Sequence, residues 1–242
     1  MITKSVVKDI QSLAGKKYRD QAGLFLAEGP KLVEELLRDC SHSIKAIYAL
    51  ESWIQQNQIV NSSIQVTLVT PAELERLSQL TTPHEVLAVV SKFPISPLQI
   101  GKGLTLVCCG IQDPGNFGTI LRTADWFGVR QLVCSTDTVD VYNPKVVQAT
   151  MGSIARLAVH YMDLDPWLDE QEVPIYAAIL NGQSVYEINR SQSGILLIGN
   201  EAKGVPASLL TKKVTGITIP KIGEAESLNA AVATGILLSW LS

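Results

Sequence analysis

Two kinds of apolar pattern alternate along this chain. Short runs of β-branched or wholly apolar residues predict strands, and stretches with apolar residues every three or four positions predict amphipathic helices. Val6, Val7, Ile10 and Leu13 recur at helical spacing, so residues 4–19 read as one helix. A short strand ends at Gly29, and Pro30 suits the first position of a helix running to about Asp39. Strands at 44–50, 65–69 and 86–90 and helices at 52–56 and 71–80 follow. Phe93-Pro94-Ile95-Ser96-Pro97, with two prolines, is the best linker. Beyond it, strands are expected at 104–110, 131–135, 157–161, 175–180 and 194–198. Helices are expected at 119–127, 144–153 and 166–170, with another starting at Pro206. This is the α/β signature, and it divides the chain into domains at 1–94 and 98–242.

The last stretch is the most informative. A β-branched strand reaches Pro220, and a turn carries Glu224 and Glu226 ahead of an apolar helix at 228–241. Ser227 is the expected N-cap of that helix, its hydroxyl accepting from a first-turn N–H. The helix is polar only at Asn229, Thr234 and Ser239. It is too short to cross a bilayer, which takes roughly twenty residues. Such a helix is either central to the core or buries a second face against another subunit.

Composition narrows the class. The 242 residues are 46% hydrophobic and 18% charged, which reads as globular and soluble, and no export segment or membrane span is expected. A formal charge of -3 leaves nucleic-acid binding to a local basic patch. Residues 4–19 offer one: Lys16, Lys17 and Arg19 on the outer side of the first helix are the expected phosphate contacts of a nucleic acid, with a merely solvated face as the alternative. Cys40, Cys108, Cys109 and Cys134 have no paired spacing and the histidines are scattered. No metal site is predicted, and core thiols in a reducing cytoplasm are expected.

The familiar nucleotide motifs are absent: there is no GxGxxG, no phosphate loop at 199–204 and no GxSxG elbow. Three polar turns nevertheless follow predicted strands, carrying Asn116 with Arg122, then Glu201, then Ser227 with Asn229. In open α/β sheets ligands bind beyond the carboxyl ends of the strands. If buried among its apolar neighbours, Arg122 needs an anionic partner. Glu201, in an internal ion pair, is one possibility and a bound anion the other.

Asn116-Phe117-Gly118-Thr119-Ile120-Leu121-Arg122 resembles the first motif of the SpoU (TrmH) family of RNA ribose 2'-O-methyltransferases. Ile198-Gly199-Asn200-Glu201-Ala202-Lys203-Gly204 resembles the second, and Ile219-Pro220 through Ser227-Leu228-Asn229 the third. Their order and spacing match across 104–242. Phe25-Leu26-Ala27-Glu28-Gly29 and Thr82-Pro83 resemble the family's L30e-like substrate-binding domain. Lys221, Ala202, Ala230-Ala231 and His84-Glu85 depart from the usual residues.

The resemblance implies a parallel-sheet α/β domain tied in a deep trefoil knot, preceded by a smaller L30e-like domain. It implies a homodimer that binds S-adenosylmethionine. Backbone groups of Gly199, Ile219 and Leu228 would hold that cofactor, with Ile198, Gly204 and Pro220 around it. It also implies methyl transfer to a ribose 2'-hydroxyl, in ribosomal RNA rather than transfer RNA given the two-domain length. A non-catalytic RNA-binding protein is the reading from another class. The family proposal makes Arg122 a general base, with Asn116, Glu201, Ser227 and Asn229 shaping the site. A guanidine with a pKa above about 12 is better suited to anchoring the neighbouring phosphate.

Overall fold

A computed structural model describes residues 2–57, 63–190, 193–211 and 213–242. In chain order the elements are α1 (Lys4–Ser12), α2 (Lys16–Ala22), β1 (Leu24–Glu28), α3 (Pro30–Cys40), β2 (Ile44–Ala49), α4 (Glu51–Gln56), β3 (Gln65–Leu68), α5 (Pro71–Leu77) and β4 (Val86–Ser91). They continue as β5 (Leu104–Cys109), α6 (Pro114–Trp126), β6 (Gln131–Cys134), α7 (Pro144–Thr150), β7 (Ala158–Tyr161), α8 (Leu164–Asp169), β8 (Ile175–Ser184), β9 (Gly194–Gly199), β10 (Val214–Thr218) and α9 (Ala230–Leu241). The helix expected from Pro206 is a short 3-10 turn, Ala207–Leu209. Two compact units result: Met1–Pro94 with Asp140–Ala155, and Ile95–Val139 with Arg156–Ser242.

The first unit has a four-stranded sheet ordered β1-β4-β2-β3, with only β2 and β3 parallel. Val7 and Ile10 of α1 and Leu74 and Leu77 of α5 pack on one face with Leu26, Leu87 and Val89. Leu32, Val33 and Leu36 of α3 are also buried. The single helix expected over 4–19 is two, because the chain leaves α1 at Leu13 and turns through Gly15, whose extended backbone starts α2.

That turn overturns one expected RNA contact. Arg19 is 2% exposed. Its guanidinium donates to the carbonyls of Leu13 (2.9 Å) and Ala14 (2.7 Å) and, through Nη2, to Oδ2 of Asp140 at 2.7 Å. A buried cation needs such a partner, and here it closes the α1–α2 corner. Lys16 and Lys17 remain exposed, Lys16 pairing with Asp20 at 3.0 Å.

Asp140 belongs to a segment that the sequence pattern grouped with the second half of the chain. Residues 140–155 instead pack within the first unit. Tyr142 lies 4.9 Å from Phe25 and 6.5 Å from Phe93, ring centroid to centroid, and its hydroxyl accepts from the Phe93 N–H at 2.9 Å. At Gly152, in the left-handed region, a Cβ would lie 2.6 Å from Cβ of Glu35 on α3, so only glycine allows the approach.

The second unit is a six-stranded, wholly parallel sheet ordered β10-β8-β9-β5-β6-β7. Both faces are covered, which explains why β5 and β9 are nearly continuous apolar runs. Cys109 joins the core on the face covered by Leu164 and Leu168 of α8. α6 and α9 pack together, with Gly235 facing Thr123.

Two helix starts differ from expectation. α6 begins at Pro114 rather than Thr119, because Asp113 caps it by accepting from the Asn116 N–H at 2.7 Å. Asn116 therefore sits in the first helical turn and not in a loop. α9 is capped by Asn229, not Ser227: Oδ1 of Asn229 accepts from the N–H groups of Ala231 (2.9 Å) and Val232 (3.3 Å). Among the described residues no helix is long and apolar enough to cross a membrane.

Candidate active site

In the second unit, three segments remote in sequence meet beyond the carboxyl ends of β5 and β9. Asn116 Nδ2 donates to Oε1 of Glu201 at 2.7 Å, and Asn229 Nδ2 donates to Oδ1 of Asn116 at 2.8 Å. The direction of this relay is fixed at one end. Two helix N–H groups occupy Oδ1 of Asn229, so its NH2 must point away, towards Asn116. Oδ1 of Asn116 is then the acceptor and its NH2 turns to the carboxylate. Glu201 receives a donor, as an ionised carboxylate requires.

Arg122 is not part of that relay. It is exposed, and among the described residues it has no hydrogen-bond or ion-pair partner. The internal Arg122–Glu201 pair is thus not formed; Glu201 is held by Asn116 instead. Six residues along α6 separate Arg122 from Asn116, about 9 Å of rise and about a third of a turn around the axis. Arg122 shares its side of the helix with Trp126, which is 84% exposed.

The expected cofactor residues lie on the same edge of the sheet. Ile198 and Gly199 end β9, in register with Cys108 and Cys109 of β5. A Cβ on Gly199 would fall 2.1 Å from the carbonyl carbon of Gly204, so this strand end tolerates no side chain. The left-handed residue of the turn is Gly204 (φ 68°), and Ala202 has no such conformation. Ile219 and Pro220 follow β10, while Ser227 and Leu228 stand just before the α9 cap. Residues 220–229 are all exposed, and no element claims the backbone from Ile219 to Leu228. This is an open row of N–H and C=O groups that runs from the apolar Ile219 to the apolar Leu228. It fits a ligand held through main-chain contacts and apolar flanks.

No metal-binding group of His, Cys, Asp or Glu occurs among the described residues. Cys108, Cys109 and Cys134 near the strand ends are free and buried. Burial pushes the thiols of Cys109 and Cys134 far up, so neither offers a thiolate nucleophile. Asp113 escaped the sequence reading, although Asp before Pro is a visible helix-start signature. The Lys16–Lys17 patch lies in the first unit.

The sequence profile of the SpoU rRNA Methylase family matches residues 103–239, and that of the MRM3-like substrate binding domain residues 4–88. The 23S rRNA (guanosine(2553)-2'-O)-methyltransferase RlmP of Bacillus subtilis is 34% identical over 97% of this chain and 95% of that protein. A TrmH-family structure from Porphyromonas gingivalis superposes with a TM-score of 0.87 at 36% identity, over 100% of this chain and 98% of that one. An AdoMet-bound rRNA methyltransferase from Sinorhizobium meliloti gives 0.85 at 30% identity, over 100% and 95%.

Proposed function

Because the chain belongs to the SpoU rRNA methylase family, we propose that it transfers a methyl group from S-adenosylmethionine to a ribose 2'-hydroxyl of ribosomal RNA. The observation that carries this reading is the Asn229–Asn116–Glu201 relay, which unites the three motif segments at one edge of the parallel sheet. A protein that only bound RNA would have no need of it.

Bound S-adenosylmethionine supplies an electrophilic methyl on a positively charged sulfur. Gly199, Ile219 and Leu228 would hold it by main-chain groups, flanked by Ile198, Gly204 and Pro220. The residues of the chain then have to align the hydroxyl and ease the loss of its proton. Arg122, always charged and without a partner among the described residues, suits an anchor for the phosphate beside the reacting ribose. A fixed cation there also lowers the proton affinity of the hydroxyl. Asn116, Glu201 and Asn229 give the site one hydrogen-bond orientation, and Ser227 adds an uncommitted hydroxyl. Alignment of this kind contributes several kcal/mol to a bimolecular transfer.

We assign RNA capture to the first unit, with Lys16 and Lys17 among its contacts, and the chemistry to the second. The trefoil knot belongs to the same reading. It is supported by the return of the chain from edge strand β10 to α9, which packs on α6 and β9. A homodimer would cover the outward side of α6 and α9, where Trp126 is 84% and Val232 51% exposed. The free, buried Cys108, Cys109 and Cys134 suit the reducing cytoplasm.

The test is methyl-labelled S-adenosylmethionine with ribosomal RNA. Label should enter the RNA and leave one position resistant to alkaline cleavage. Label only in transfer RNA would replace the substrate, and tight RNA binding without transfer would replace the function.

A further inference from the structure

The turn Gly199–Gly204 carries Glu201, but the residue before it holds the turn in place. Asn200 donates from Nδ2 to the carbonyl of Gly110 at 2.8 Å. Its Oδ1 accepts from the N–H groups of Ala202 (3.0 Å) and Lys203 (3.1 Å). Its backbone exchanges two more hydrogen bonds with Gly204, at 3.1 and 2.8 Å. One side chain thus closes its own turn with one atom and grips a neighbouring strand end with the other.

The gripped residue is held through its other peptide group as well. Gly110, one residue past β5 and in the left-handed region, donates its N–H to Oγ of Ser135 at 2.7 Å. Ser135 Oγ donates to Oδ1 of Asp137 at 2.6 Å. Asn200 and Ser135 therefore continue the sheet with side chains where the ladders of β9, β5 and β6 stop. The strands do not depend on this arrangement: β9 is already paired with β5 from Gly194 to Gly199. Only the turn beyond it does, and that turn presents Glu201 to Asn116.

We propose that Asn200 is a positioning residue for methyl transfer, setting Glu201 at its place over the carboxyl end of β5 through the Nδ2–H···O=C bond to Gly110. The proposal rests on Glu201 belonging to the reaction site. Asparagine is required because the turn needs an acceptor and Gly110 needs a donor. Aspartate meets the first demand and sets an oxygen against a carbonyl at the second.

Asn200→Asp is accordingly the informative variant, assayed with the full-length protein on ribosomal RNA. The expected result is a kcat about 10- to 100-fold lower, as for other small misplacements of reacting groups. KM for RNA and the thermal midpoint without cofactor should stay close to wild type. Asn200→Ala, which removes both halves of the grip without the repulsion, should show the same split between kcat and KM, and it serves if the aspartate variant does not fold. The loss in Asn200→Asp should not add to that of Glu201→Gln, because both act on one group. Wild-type kcat in both Asn200 variants, or full additivity with Glu201→Gln, would overturn the proposal. A slow Glu201→Gln beside a full-rate Asn200→Asp sinks the role of Asn200 alone. A Glu201→Gln variant at full rate instead removes Glu201 from the site, and the assignment of Asn200 with it.

Discussion

Asn229 ties the start of α9 to the start of α6: its Oδ1 caps one helix while its Nδ2 donates to Asn116 on the other at 2.8 Å. Asn229→Asp separates these two duties. Aspartate caps as well as asparagine, so thermal stability should hold. It cannot donate to Asn116, whose amide would rotate and present oxygen to Glu201. Activity should fall about tenfold or more, measured as label transfer beside a thermal scan. Unchanged activity would show that the relay is only scaffolding.

Arg122→Ala should fold with stability within about 0.5 kcal/mol of wild type, because the side chain is exposed and unpaired among the described residues. S-adenosylmethionine should still raise its melting point, whereas methyl transfer should be lost. A variant that methylates at near wild-type rate would remove Arg122 from the mechanism.

Arg19 makes the opposite prediction. Arg19→Ala strands Asp140 in the interior and should destabilise by about 3–5 kcal/mol, measured by urea unfolding. Reversing Lys16 and Lys17 should leave stability nearly unchanged but weaken RNA binding and flatten its salt dependence. An unchanged salt slope would leave these lysines an ordinary solvated face.

Glu28 sets a pH dependence in the first unit. Burial raises its carboxyl above the usual range, against hydrogen bonds from Ser78 Oγ and the Gln79 N–H that favour the charged form. The folded protein then holds this proton more tightly than the unfolded chain. Its stabilising contribution is complete below the ordinary carboxyl pKa of about 4.3 and is lost as pH rises through the raised folded value. Glu28→Gln should therefore become more stable relative to wild type as pH increases from 4 to 8. A stability difference that does not vary with pH would refute the shift.

Val232→Asp places a charge on the open side of α9, where Val232 is half exposed. Sedimentation should find wild type as a dimer and the variant as a monomer. A monomeric wild type at micromolar concentration would dismiss the homodimer.

The order of strands and helices was legible because each element repeats its own period: β5 and β9 as continuous apolar runs, α3 as an amphipathic stripe behind Pro30. What escaped was decided by contacts between remote residues. Ser227 and Asn229 are both acceptable caps, and the choice depends on Asn116, which is far away in sequence. Arg19 reads as one more cation on a basic helix until the turn at Gly15 and the arrival of Asp140 bury it. Asp113 was the reverse case: its cap is local and could have been read. The site residues Asn116, Glu201 and Asn229 were visible through the motifs, but their mutual hydrogen bonds, and the absence of an Arg122–Glu201 pair, were not.

The placement of residues 140–155 also bears on how the chain is made. Domains commonly fold in the order they leave the ribosome. Here the first unit lacks Asp140 for its buried Arg19, and Tyr142 for Phe25 and Phe93, until well over half of the 242 residues have been synthesised. Nascent chains arrested before residue 140 should be cut readily by protease within 2–94, and chains arrested far enough past 155 to clear the exit tunnel should resist. The N-terminal half must wait for the middle of the message before it can close.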